Sequence, residues 1–128
     1  MKLETISIDK EELKPTTDRE LMELARFLIF NGWNQKCGAT TKEGRFCATD
    51  SAEAHNYCVV GAFWRAIHDT AYGMSEKEQY AVVHRLERTF LNANGMRDSL
   101  GDIPNWNDDK KRTKDEVLVA MDNAIAAS

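Results

Sequence analysis

Three times along the chain a hydroxyl residue is followed three positions later by glutamate: Thr17 by Glu20, Ser75 by Glu78 and Thr113 by Glu116. At this spacing the hydroxyl and the carboxylate each accept from the other residue's unpaired backbone amide, so each pair marks the start of a helix. Behind each pair the apolar residues recur with helical period. After Thr17, Leu21, Leu24, Ala25 and Leu28 form an inward stripe that runs to about Asn31, where Gly32 is expected as a left-handed cap. After Ser75, Val82, Val83, Leu86 and Phe90 share a face up to Asn94 and Gly95. After Thr113 the stripe is Val117, Ala120, Met121, Ala124 and Ile125.

Between the first two of these helices lies AHNYCVVGAFWRAIHDT, residues 54–70. From Tyr57 to Ile67 only Arg65 is charged, and a helix apolar nearly all round must be covered on several sides. It is expected to be the central helix, closed by Gly73. Residues 33–50 suit a short hairpin or an irregular loop around Lys42, Glu43 and Gly44, and residues 95–112 are rich in turn formers. Residues 1–14 read as a poorly ordered arm or as an edge strand through Ile6 and Ile8. The expected fold is therefore mainly α: one domain over residues 15–128, about four helices around a central apolar helix, and a small hairpin within 33–50.

With 128 residues, such a domain buries about two thirds of the surface its unfolded chain exposes, enough for one core. Seventeen Lys and Arg against 21 Asp and Glu give a net charge of -4 without a basic stripe, which argues against nucleic acid as a partner. Even the segment DDKKRTKDE, residues 108–116, balances its own charges and reads as a solvated helix start. The charged N-terminus lacks a signal-peptide pattern and no apolar run approaches a membrane span, so a cytoplasmic protein is expected. Three cysteines, an odd and sparse set, are expected there as thiols or metal ligands and not as a disulfide framework.

Cys58 heads the central stretch and raises the question of catalysis. Were Asn56 the cap, Cys58 would sit in the first turn, where unpaired amides favour a thiolate; were Asp50 or Ser51 the cap, it would be a small buried hydrophobe two turns inside. Asp50 with Glu53 makes a usable capping pair, so the inner position is preferred. His68, ten residues on, is about 15 Å away along the axis and cannot be a base for Cys58. His55 would be only a local neighbour, so a catalytic set needs His84 and Asp108 brought in by folding. A zinc site from Cys37, Cys47, His55 and Cys58 is disfavoured, because nine residues separate the first two cysteines where a tight knuckle is usual. No metal and no cofactor is expected.

The remaining candidates are Arg65, Trp33, Trp106, Asn107 and Asp108. In one account Asn105, Asn107 and Asp108 bond the backbone of a tight turn while the tryptophans plug the core; in the other, these residues line a pocket for an anionic ligand held by Arg65. An arginine in an apolar helix first of all needs a compensating charge, which favours the structural account. The loop is expected to dock where Gly61 and Ala62 leave the central helix bare, with Arg65 paired to Asp108, in preference to the other available carboxylates Asp102 and Asp69.

Four motifs, Gly32-Trp33, YCVVGAF at 57–63, IPNWND at 103–108 and TKDEVLVAM at 113–121, together resemble a family of small bacterial and phage proteins described as a domain of unknown function. The likeness spans residues 21–126 and leaves Cys37 and Cys47 outside the pattern. It implies a small helical domain of phage or mobile-element origin and no particular activity. The function expected from residues and resemblance together is a binding or protein-interaction module, its partner an unidentified protein or a small anionic ligand. The alternative is a cysteine-dependent hydrolase or transferase using Cys58.

Overall fold

The computed structural model describes residues 16–70, 73–96 and 102–128. Its elements in chain order are α1 (Asp18–Asn31), β1 (Ala39–Thr41), β2 (Phe46–Cys47), β3 (Ala54–Tyr57), α2 (Val59–Thr70), α3 (Glu76–Ala93), α4 (Asp102–Asn107) and α5 (Lys114–Ala127). The fold is mainly α, as the capping pairs require. The expected arm at residues 1–14 lies outside the described residues.

All three capping boxes close. Thr17, Ser75 and Thr113 accept from the amides of Glu20, Glu78 and Glu116, and each glutamate accepts in return from the capping residue's amide. The Thr17 amide holds the Glu20 carboxyl below its usual range, and the Ser75 amide does the same for Glu78. The inward stripes then assemble one core. Leu21, Met22, Ala25 and Ile29 of α1 are buried, with Leu24 and Leu28 half-covered beside them. From α3 come Val82, Val83, Leu86 and Phe90, and from α5 Val117, Ala120, Met121 and Ala124. Helix α2 lies against α1, α3 and α4 and buries Val59, Gly61, Ala62, Phe63, Ala66 and Ile67. Phe63 and Phe90 meet edge to face with centroids 6.3 Å apart.

Four local expectations change. The hairpin within 33–50 forms as β1 and β2, with Ala39 opposite Cys47, but a third strand joins it in the order β2-β1-β3. That strand is Ala54–Tyr57, so α2 starts at Val59 and not near Asp50. The amides and carbonyls that would have opened a longer helix are engaged in pairing Ala39 with Tyr57 and Thr40 with Asn56, and Ser51 and Glu53 form a local turn instead of a cap. Residues 102–107, expected as turn, are the short helix α4; Pro104 sits in its first turn, where a missing amide costs nothing. Gly32 is extended, with φ -179°, and does not adopt the left-handed cap. Glycine is needed there because a side chain would run into His55 and Asn56 of β3.

Candidate functional site

Strand β3 passes into α2 without a loop. The Cys58 amide donates to the Gly38 carbonyl at 3.3 Å, continuing the β1–β3 ladder, while its own carbonyl accepts from Ala62 at 2.9 Å and begins the helix. Cys58 is thus the N-cap of α2. Its Sγ accepts from the Gly61 amide at 3.2 Å, as a serine hydroxyl would. The close passage of Gly38 over the first turn depends on the missing side chain of Gly61, since a methyl there would collide with the Gly38 carbonyl. The segment that docks on Gly61 is therefore Gly38, and not the Trp106 loop expected there.

The other side of the junction is held by Asn107, which is fully buried. Its Oδ1 accepts from Trp33 Nε1 at 3.0 Å and from the Val59 amide at 3.2 Å. Its Nδ2 donates to the Asn34 carbonyl at 3.2 Å and to Asp108 Oδ1 at 3.0 Å. Asp108 Oδ1 also accepts from the Lys36 amide at 2.8 Å, which holds Lys36 in the left-handed region at φ 78°. Gln35 Nε2 completes the lock by donating to the carbonyls of Asn107 and Asp109 at 2.9 and 2.8 Å. One amide thereby ties α4, the start of α2 and the connector after α1 together. The Val59 amide, which would otherwise be an unpaired helix-terminal donor, is satisfied by a residue 48 positions away.

Burial pushes the Cys58 thiol up from its ordinary range; the Gly61 amide pulls it down less strongly, and nearby Asp108 and Cys37 add to the rise. A thiol so placed is protonated at neutral pH despite its position at a helix N-terminus. The histidines lie elsewhere. His84 is exposed on α3 with Nδ1 3.0 Å from Glu87 Oε1, and His55 Nδ1 faces Asn56 Oδ1 at 3.1 Å. Of the candidate trio Cys58, His84 and Asp108, only Asp108 is near enough to Cys58 to affect its thiol, and it raises it. Cys37, Cys47 and Cys58 are free thiols, and among the described residues no three His, Cys, Asp or Glu side chains are arranged to hold a metal ion.

The five candidate ligand-binding residues divide among three environments. Trp33, Asn107 and Asp108 belong to the junction just described. Arg65 is engaged on another side of α2, where Nη1 donates to the Thr49 and Ser51 carbonyls at 3.0 and 2.7 Å and Nε lies 3.1 Å from Asp69. The expected partner Asp108 is replaced by the carboxylate one turn along the same helix. Trp106 meets Phe90 edge to face with centroids 5.6 Å apart, and the Arg112 guanidinium stacks 4.0 Å from its ring centre. That stack borders an open cleft of about 410 Å³ completed by Asn94, Asp115, Glu116, Val119 and Ala120.

Gly38, Asn34 and Gln35 were invisible as site residues in the sequence, because nothing local marks a carbonyl or amide that will be used across the fold. Equally unmarked are Phe27 and Phe30, 60% and 57% exposed on the outer side of α1. Their helical spacing from Glu20 and Glu23 was the available signal.

A helical domain with a three-stranded antiparallel sheet, joined through a buried asparagine lock, is the class of protein these features define. The chain belongs to the family of unknown function DUF6197, which matches residues 13–127. No curated protein and no solved structure matches it. Among the described residues no helix is long and apolar enough to cross a membrane.

Proposed function

We propose that this protein is a non-catalytic interaction module that acts in the cytoplasm and binds another protein through the outer face of α1. The observation that carries the reading is the exposure of Phe27 and Phe30, two aromatic side chains one turn apart on an otherwise well-sorted helix. Large exposed aromatics at helical spacing are what an interface uses as anchors, since they bring much area at little entropic cost. The groups that chemistry would need point the same way: Asn107 has its hydrogen-bonding capacity occupied inside the fold, and the Cys58 thiol is half-buried and protonated. The test is a photo-crosslinking residue at position 27, with the same residue at Arg88 on exposed α3 as control, in the cells that make the protein. A protein adduct at 27 and none at 88 supports the reading; equal yields at both positions, or none at either, refute it.

The second reading is a cysteine-dependent hydrolase or transferase. What favours it is the N-cap position of Cys58 at the positive end of α2. Under it, Cys58→Ala abolishes function while leaving the fold intact; under the interaction reading, the adduct at position 27 survives that substitution.

A further inference from the structure

At about 100° per residue, Glu20, Glu23, Phe27 and Phe30 fall within about 80° of one another on the side of α1 opposite the buried Leu21, Met22, Ala25 and Ile29. The outer face is therefore divided along its length: acidic in the first half, aromatic in the second. The aromatic half carries a cation, because Lys114 at the start of α5 places Nζ 5.4 Å from the centre of the Phe30 ring. Lys114 belongs to none of the ion pairs among the described residues. Among the described residues Glu23 pairs only with Arg19, 3.6 Å away with both side chains about half exposed, an arrangement that contributes little.

A face that is acidic at one end and aromatic-cationic at the other is complementary to itself when reversed. From this, and resting on the interaction reading above, we infer that the α1 face binds a second copy of this chain, α1 against α1 antiparallel about a two-fold axis through Phe27. In that arrangement Phe27 stacks on Phe27 of the partner subunit. Phe30 lies across from Leu24 of the partner subunit, and Lys114 reaches Glu23 of the partner subunit. The symmetry makes each of these contacts twice, as an isologous interface requires. A parallel arrangement would set Glu20 and Glu23 against their own copies. The contact is a single helix face, at the small end of specific interfaces, so the dimer is a reversible one, in roughly the micromolar range or weaker.

Sedimentation velocity on the full chain from about 10 µM to 1 mM tests this. The expected result is a concentration-dependent monomer–dimer equilibrium that Phe27→Glu and Phe30→Glu each abolish, with circular dichroism confirming that both variants stay folded. Glu23→Lys and Lys114→Glu are each expected to weaken the dimer about tenfold, and the two together to restore it to within about threefold of the original. Restoration is the readout that a merely apolar contact would not give. A chain that stays monomeric to 1 mM overturns the inference, as does a dimer that survives Phe27→Glu or a charge exchange without recovery. If the chain is monomeric while position 27 crosslinks to a different protein, the second-copy inference fails and the interaction reading stands; if there is no adduct of any kind, both fail.

Discussion

Two regions of this protein invert the usual sorting of side chains, in opposite directions. At the α2–α4 junction a polar residue, Asn107, is fully buried; on the outer side of α1 two phenylalanines are more than half exposed. The difference lies in what each group still lacks. Asn107 makes four hydrogen bonds within the fold, so its burial is compensated and its role is to hold parts together. Phe27 and Phe30 leave apolar surface in water that nothing among the described residues removes, apart from the Lys114 ammonium over one ring. A buried polar residue with its bonds complete reports on stability, and an exposed aromatic pair reports on partners.

The sharpest way to break that distinction is to remove the lock. Asn107→Leu keeps the volume and strands the Trp33 indole N–H, the Val59 amide and the Asn34 carbonyl, so a loss of about 3 to 5 kcal/mol in urea unfolding is expected. A loss below about 1 kcal/mol would mean that water replaces the lock freely and that the junction is an open site. Gly61→Ala comes next. Its methyl would meet the Gly38 carbonyl, which is backbone and cannot swing aside, so about 2 to 3 kcal/mol is expected, with Gly61→Ser no better.

Arg65→Ala should cost about 1 to 2 kcal/mol, because it frees the Thr49 and Ser51 carbonyls, whereas Asp69→Ala should cost less than about 0.5 kcal/mol. Equal losses would show that the ion pair and not the carbonyl staple matters. At the small end, Phe27→Ser and Phe30→Ser should each change monomer stability by no more than about 0.5 kcal/mol, measured at a concentration below dimerisation. A large loss at either position would place these rings in the core's service and remove the contrast with Asn107.

Alkaline pH separates the regions in another way. Because burial raises the Cys58 thiol in the folded state, the folded protein binds more protons than the unfolded chain between the two thiol values. The stabilisation is complete below the ordinary thiol range near about 8.5 and declines as pH rises through the folded value. Tyr57, whose phenol burial also raises, adds a similar decline beginning higher, above about 10. Urea titrations at rising pH should show the first decline in the original chain and not in Cys58→Ala. Its persistence in that variant would move the cause elsewhere.

Much of the helical frame could be read from local residues, because capping is a local event. Thr17, Ser75 and Thr113 each meet a partner three residues away, and the stripes behind them need only the helical period. The α2 start could not be read in the same way. Asp50 and Glu53 offered a local cap as good on paper as the others, and only the pairing of Ala54–Tyr57 with β1, a tertiary event, rules it out. The lock was half legible. Asn107 and Asp108 stood out as side chains that bond backbone, but their partners proved to be Trp33, Asn34, Lys36 and Val59 and not the turn they occupy. The Gly38 carbonyl against Gly61 is a contact with an absent side chain, and no residue pattern announces it.

The contrast between a hydrogen-bonded junction and an unfinished surface turns most directly on how far Cys58 reacts in the folded protein. Iodoacetamide labelling at neutral pH, read peptide by peptide so that Cys37 and Cys47 are resolved, measures this in one experiment. Because the thiol is half-buried, protonated and bonded to the Gly61 amide, Cys58 should label more slowly than an open thiol, and its rate should rise with urea in step with the loss of stability. Rapid labelling in the absence of urea, insensitive to Asn107→Leu, would contradict the account and make the α2 N-terminus a reactive site.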